Sequence, residues 1–157
     1  MSRAFTREED SEAALADIGE RPVSTHRNLV TPEGLAMIDA EVARLREELG
    51  RAEAEGVRER IALVARDLRY WTARRETAEL SEPDPNDDVV RFGMRVTIVN
   101  DDEEERTWKI VGEDETDVSQ GKISHVSPMA QALFGKKVGD VATVSGKNWE
   151  IVSIATR

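Results

Sequence analysis

Two apolar seams of similar length, joined by a short linker and closed by prolines, decide most of what this chain can become. Leu35, Ile38, Val42, Leu45 and Leu49 recur at alternating spacings of three and four, which is the a/d repeat of a coiled coil. Ile61, Val64, Leu68, Trp71 and Ala78 form a second seam, with Arg75 taking one seam position. Between them Gly50 and Gly56 bracket Arg51-Ala52-Glu53-Ala54-Glu55, which reads as the turn. The seams are expected to fold back on each other as an antiparallel coiled-coil hairpin over residues 31–82. Thr31 offers a capping hydroxyl, Pro32 suits the first helical position and Glu33 faces the positive end of the dipole. Helices of about 24 residues would project roughly 35 Å. Such a pair has little core of its own and must dock on something at its base. Ser81-Glu82-Pro83-Asp84-Pro85 ends it, because proline cannot continue a helix.

Residues 83–88 read as a linker, and from Val89 the period changes to two. Val90, Phe92, Met94, Val96 and Ile98 alternate with Arg91, Gly93, Arg95 and Thr97. Trp108–Val111, Ile123–Val126, Val141–Val144 and Trp149–Ile154 bring the count to about five strands. Pro128–Phe134 is the one short helix, with Met129, Ala132 and Leu133 inward. The fold class is α+β: a helical hairpin, then a small antiparallel sheet over 89–157 carrying one helix. Residues 1–30 hold Glu8, Glu9, Asp10, Glu12, Asp17 and Glu20 with no sustained period, so a flexible acidic extension is expected there, with a short helix near Ser11–Ile18 as an alternative.

Composition removes several functions. The net charge of −10 gives the fold as a whole no basic face for duplex phosphates. Without cysteine there is no disulfide and no thiolate site, and His26 and His125 are too few for a histidine-rich metal site. No apolar run reaches the length of a membrane span, and the opening residues carry no signal-peptide core. A cytoplasmic monomer without membrane contact or cofactor is the expectation.

The run Lys122-Ile123-Ser124-His125-Val126-Ser127-Pro128 through Ala132-Leu133, with Gly139-Asp140 after it, resembles the C-terminal signature of the GreA/GreB transcription elongation factors. Arg95-Val96-Thr97-Ile98 and Ile110-Val111-Gly112-Glu113-Asp114-Glu115 extend the resemblance, as do Thr31-Pro32-Glu33-Gly34-Leu35 and Arg44-Leu45-Arg46-Glu47-Glu48-Leu49 in the hairpin. Met1–Thr6 and Arg21–Ser24 look like the N-terminal extension of a Gre-like subset. The resemblance implies an FKBP-like C-terminal domain that docks on bacterial RNA polymerase at the rim of its secondary channel. Ser124, Ser127, Pro128 and Ala130 are then the docking candidates. Ser127-Pro128 also reads simply as a helix start, and both readings can hold.

In the family, acidic residues at the hairpin tip help hold a Mg²⁺ in the polymerase active site, and the polymerase then cleaves the 3′ end of a backtracked transcript. This sequence departs there. Glu79-Leu80-Ser81-Glu82 only partly echoes the tip motif, and it falls at the hairpin base. Roughly seven residues fewer per helix shortens the reach by about 10 Å. Glu53 and Glu55 are the carboxylates within the expected turn, where they could converge as substitute acids or stand as solvated charges. Arg51, Arg58 and Arg60 crowd the same end and suit RNA phosphates or acidic walls better than a cation. Arg66, Arg69, Arg74 and Arg75 make the second helix basic, as a polymerase-facing stripe or a solvated face. Trp71 reads as core packing.

The leading expectation is a non-enzymatic elongation regulator that binds RNA polymerase with at most indirect contact with nascent RNA; whether it acts by stimulating the polymerase's own cleavage activity stays open, and the short tip leans away from that. The alternatives are a cleavage-incompetent occupant of the channel that competes with Gre factors, an FKBP-like prolyl isomerase using Phe92, Trp108, Phe134 or Trp149, and a regulator of nucleotide metabolism.

Overall fold

The computed structural model describes residues 18–157, so the expectations for Met1–Thr6 and for most of Ser11–Ile18 lie outside the described residues. The chain forms two compact units: residues up to Thr25 with Ala36–Thr77, and His26–Leu35 with Ala78–Arg157.

The first unit is built on helices α1 (Pro32–Glu55) and α2 (Arg58–Thr77). The α1 seam is buried at Ile38, Val42 and Leu45 and runs on to Ala52. Val64 is buried on α2, while Ile61, Leu68 and Trp71 are half-buried. Ion pairs mark the antiparallel register that the buried seam sets: Arg75 meets Asp39 at 2.5 Å near one end, and Arg60 reaches Glu48 at 3.9 Å near the other. Residues 51–55, expected as a turn, are helical instead. Alanine, glutamate and arginine are strong helix formers, and a helix tolerates Gly50 at a cost of about 1 kcal/mol. The turn is only Gly56-Val57. Gly56 takes φ +73° and its N–H donates to the Ala52 carbonyl at 3.0 Å, a left-handed helix stop.

Residues 18–25, expected to be part of a flexible tail, have defined places on α2. The Arg21 guanidinium lies 4.0 Å from the centre of the Tyr70 ring and 3.4 Å from the Asp67 carboxylate. Arg69 donates to Glu20 at 3.0 Å.

In the second unit, β1 (Leu29–Val30) pairs in parallel with β2 (Glu79–Leu80). This pairing ends α2 at Thr77, before the prolines, so Ala78 is not a helical seam position. The main sheet has β3 (Arg95–Asn100), β4 (Glu105–Val111), β5 (Lys122–Ser124), β6 (Val141–Val144) and β7 (Lys147–Ala155), in the order β5-β4-β3-β7-β6. It is mixed rather than wholly antiparallel, because β4 and β5 run parallel, Lys109 opposite Lys122. Val90, Phe92 and Met94 are buried as their alternation suggests, yet they are not in a strand. Gly93 at φ +87° turns the chain there, and its N–H donates to the Ile110 carbonyl at 2.8 Å. Short helix α3 (Pro128–Leu133) closes one face. The core joins Val96 and Ile98 of β3, Ile110 of β4, Ile123 of β5, Ala130 and Leu133 of α3, and Trp149 and Ile151 of β7.

The start of α1 belongs to this unit, and the Glu115 carboxylate holds it. One oxygen accepts from the Thr31 hydroxyl; the other accepts from the Thr31 N–H at 3.1 Å and the Gly112 N–H at 2.9 Å. Thr31 Oγ1 in turn accepts from the Gly34 N–H at 3.0 Å, completing the N-cap. A Cβ at Gly34 would stand 2.1 Å from the Glu115 carboxyl carbon, so only glycine admits the carboxylate.

Gly34→Ala should therefore destabilise the protein by about 2–3 kcal/mol in urea unfolding. Glu115→Ala alone should cost about 2 kcal/mol, and the double variant should cost clearly less than the sum, since removing the carboxylate removes the clash. An additive double variant would contradict the packing described.

Glu33 supplies a second test. The helix-terminal N–H of Glu33 itself holds its carboxyl below the usual glutamate range; Lys109, at 4.0 Å, and the Thr31 hydroxyl act in the same direction against desolvation. A lowered pKa contributes stability above the unfolded value and loses it as pH falls. Relative to Glu33→Gln, the native chain should gain at most about 0.5 kcal/mol at pH 7, because the group is exposed. The gain should vanish on acidification below pH ~4, read from paired urea titrations.

Candidate functional site

The Ser-Pro corner is built by β5 handing the chain to α3. Ser124 Oγ accepts from the Val126 N–H at 3.2 Å, and the Ser124 carbonyl accepts from the Ser127 N–H at 3.0 Å. Ser127 is the N-cap of α3, its hydroxyl accepting from the Ala130 N–H at 3.2 Å, and Pro128 stands at the head of the helix. The helix-start reading of Ser127-Pro128 is borne out, and that geometry leaves Pro128 exposed and Ser124 and Ser127 half-buried. Ala130 is different. It is fully buried in the core, so it seats α3 and has no surface to offer a partner.

Two contacts that sequence reasoning missed stiffen the corner. Gln131 Nε2 donates to the His125 carbonyl at 2.7 Å, and the His125 N–H donates to the Val111 carbonyl at 2.9 Å. His125 is itself buried and meets Phe92 edge-to-face with ring centres 5.5 Å apart. Only the Gln131 spacing, six residues after His125, hinted at either.

At the tip Glu53 and Glu55 do not converge, as they could have in a turn. Both lie in α1, and residues two apart on a helix point about 200° away from each other. Glu55 is engaged by Arg60 at 2.6 Å across the turn. Arg60 is half-buried between Glu55 and Glu48 and works as an internal clamp rather than an outward cation. Arg51 and Arg58 are exposed, and Val57 is half-exposed at the turn. A shared Mg²⁺ needs several oxygens converging on one point; a diverging pair with one member held by arginine does not supply them.

The aromatic pocket of a prolyl isomerase is also not supported. Phe92 and Trp149 are core residues, and Trp108 and Phe134 pack against that core. Among the described residues no helix is long and apolar enough to cross a membrane.

The model of the C-terminal domain of the transcription elongation factors GreA/GreB matches residues 84–156, which include the whole Ser-Pro corner. The transcription elongation factor GreA of Rickettsia conorii is 38% identical over 128 residues, 74% of this chain and 78% of that protein. This chain belongs to the GreA/GreB family. The GreA of Ruegeria pomeroyi is 33% identical over 148 residues, covering 80% of this chain and 95% of its own. Among solved structures, GreA factor homolog 1 of Thermus thermophilus aligns at 24% identity with a TM-score of 0.39, over 82% of this chain and 99% of that one. The hairpin tip falls outside the matched GreA/GreB domain model, so the corner, not the tip, is what the model matches.

The corner's two roles separate by mutation. Ala130→Leu should lose about 1–3 kcal/mol of stability through overpacking, whereas Pro128→Arg, on the surface, should stay within about 0.5 kcal/mol of the parent. Urea unfolding of the two variants tests this; an unstable Pro128→Arg would make the corner part of the core rather than a surface.

Proposed function

We propose that this GreA/GreB-family chain is a non-enzymatic regulator of transcription elongation. It binds bacterial RNA polymerase at the secondary channel through Ser124, Ser127 and Pro128 and presents a hairpin that occupies the channel without supplying metal-binding carboxylates. Family membership and the surface geometry of the Ser-Pro corner support the docking half of this reading. The single observation that carries the second half is the tip. Both helices run up to a two-residue turn, Glu53 and Glu55 diverge, and Glu55 is tied to Arg60.

Chemically, such a tip acts by volume and charge. With Arg51 and Arg58 exposed around Gly56-Val57, it offers guanidinium groups to phosphates or acidic walls, whose attraction needs no fixed metal geometry. The result is altered pausing or nucleotide access, and competition with relatives that do promote cleavage. Stimulation of cleavage is the reading this tip favours less.

A stalled, backtracked polymerase complex tests both halves. The protein should bind it and displace a cleavage-competent Gre factor, leaving the 3′ cleavage rate at that of polymerase alone. Ser127→Glu or Pro128→Arg should weaken binding on the order of tenfold or more, and Glu53→Ala/Glu55→Ala should change nothing. Cleavage above background that disappears in the double alanine variant would sink the channel-occupant reading; binding indifferent to Ser127→Glu and Pro128→Arg would sink the docking assignment.

A further inference from the structure

One flank of the hairpin carries an open groove of about 490 Å³ between Leu49 of α1 and Ala65, Leu68, Thr72 and Ala73 of α2. Arg69 and Glu76 stand over it as its charges. The floor is apolar and half-buried and the charges are exposed, the core-and-rim pattern of a protein contact. Ala65, Arg69, Thr72 and Glu76 follow one another at spacings of four, three and four. They form a stripe down one side of α2, a second seam beside the one that meets α1.

The two charges are placed for a partner outside the chain. Seven residues apart, Arg69 and Glu76 share a face to within about 20°, but they stand roughly 10 Å apart along the axis, too far to pair with each other. Arg69 gives Nε and Nη2 to Glu20 and keeps Nη1, and a guanidinium can serve two carboxylates along its two edges. The Glu76 side chain has no ion-pair or hydrogen-bond partner among the described residues. An unpaired acid and a half-used base, two turns apart on one stripe, are complementary to the same stripe run backwards. Turned about a two-fold axis at Thr72-Ala73, a second α2 sets its Glu76 against Arg69 and its Arg69 against Glu76, with small side chains at the crossing. A parallel pairing in register would set Arg69 on Arg69. The neighbouring arginines do not oppose the contact, because Arg75 is held by Asp39 and Arg74 is buried.

We propose that two copies of the chain meet at this groove, α2 against α2 and antiparallel, as a two-fold dimer with reciprocal Arg69–Glu76 pairs around Thr72 and Ala73. The paired stretch is about 15 Å long and one helix, about 10 Å, wide, far below the ~800 Å² per partner of a stable complex. The dimer is therefore transient, with a dissociation constant on the order of 100 µM. Its consequence rests on the function proposed above. A hairpin whose flank is taken by a second hairpin is twice as wide, so pairing and channel entry exclude each other.

Sedimentation velocity over a concentration series reads the pairing. The parent chain should pass from monomer to dimer between about 10 µM and 1 mM; a monomer throughout overturns the proposal. Arg69→Glu and Glu76→Arg, each alone, set like charges together twice and should raise the dissociation constant on the order of tenfold or more. Both positions are exposed, so helicity should hold. Mixed, the two variants are complementary again, and a heterodimer of about parental strength is expected. Unchanged single variants, or a mixture that stays monomeric, overturn the pairing. A cysteine at the axis gives a readout independent of charge. The chain has no native cysteine, so Thr72→Cys should form a disulfide between two copies about tenfold faster than Glu59→Cys; equal rates overturn the proposal. The oxidised Thr72→Cys dimer should not bind polymerase, whereas the reduced chain should. Binding by the oxidised dimer overturns the exclusion. If the reduced chain does not bind either, the function proposed above fails, while sedimentation and disulfide rates still decide the interface.

Discussion

A single carboxylate sets where the hairpin begins. Glu115, in the turn after β4, takes the Thr31 hydroxyl and the N–H groups of Thr31 and Gly112, while Thr31 caps α1 through Gly34. Four polar groups that would otherwise be orphaned at a helix start and a strand end are paired in one place. The arrangement needs a backbone without a side chain on two sides. Gly34 leaves room for the carboxyl carbon, and a Cβ at Gly112 would meet the Leu29 carbonyl at 2.5 Å. Once Thr31 is the cap, the helical period decides the rest: Ile38, Val42, Leu45 and Ala52 fall on one buried face because the first turn has a fixed phase.

How much of this could be read beforehand depended on the range of the forces involved. The seams, the cap at Thr31 and the Ser127-Pro128 helix start were legible because each is a local pattern of a few residues. The Gly56-Val57 turn was misplaced because Gly50 and Gly56 look alike in sequence. Only the left-handed backbone at Gly56 tells them apart, and that follows from where the seams meet. The parallel pairings were not legible. Leu29–Val30 with Glu79–Leu80 and β4 with β5 are register choices between separated segments, and two- or three-residue strands carry too few side chains to announce them. The end of α2 at Thr77 was missed for the same reason, because Glu79–Leu80 is claimed by a strand about 50 residues away in sequence (Leu80 against Val30).

The candidate site divides along the same line. The helix start at the corner was legible because Ser-Pro before a mostly apolar turn of helix is a strong local signal. Ala130 was assigned to a surface because its burial depends on the core beneath it, formed by Leu133, Ile123 and Ala142. At the tip, the charges were visible but their pairing was not. Glu55 with Arg60 is a contact across a turn whose position was itself uncertain, and it changes a candidate ligand into half of an ion pair.

The tightness of that turn has a consequence of its own. Because α1 and α2 run unbroken to Gly56-Val57, the hairpin behaves as a ruler. Removing seven residues from each helix lowers the tip by about 10 Å and turns it by only some 20°. The same face is then presented at a new depth. Removing three or four from one helix alone would instead rotate the tip against its partner and break the seam. Length in this hairpin can therefore change without loss of the seam only in matched steps on both helices.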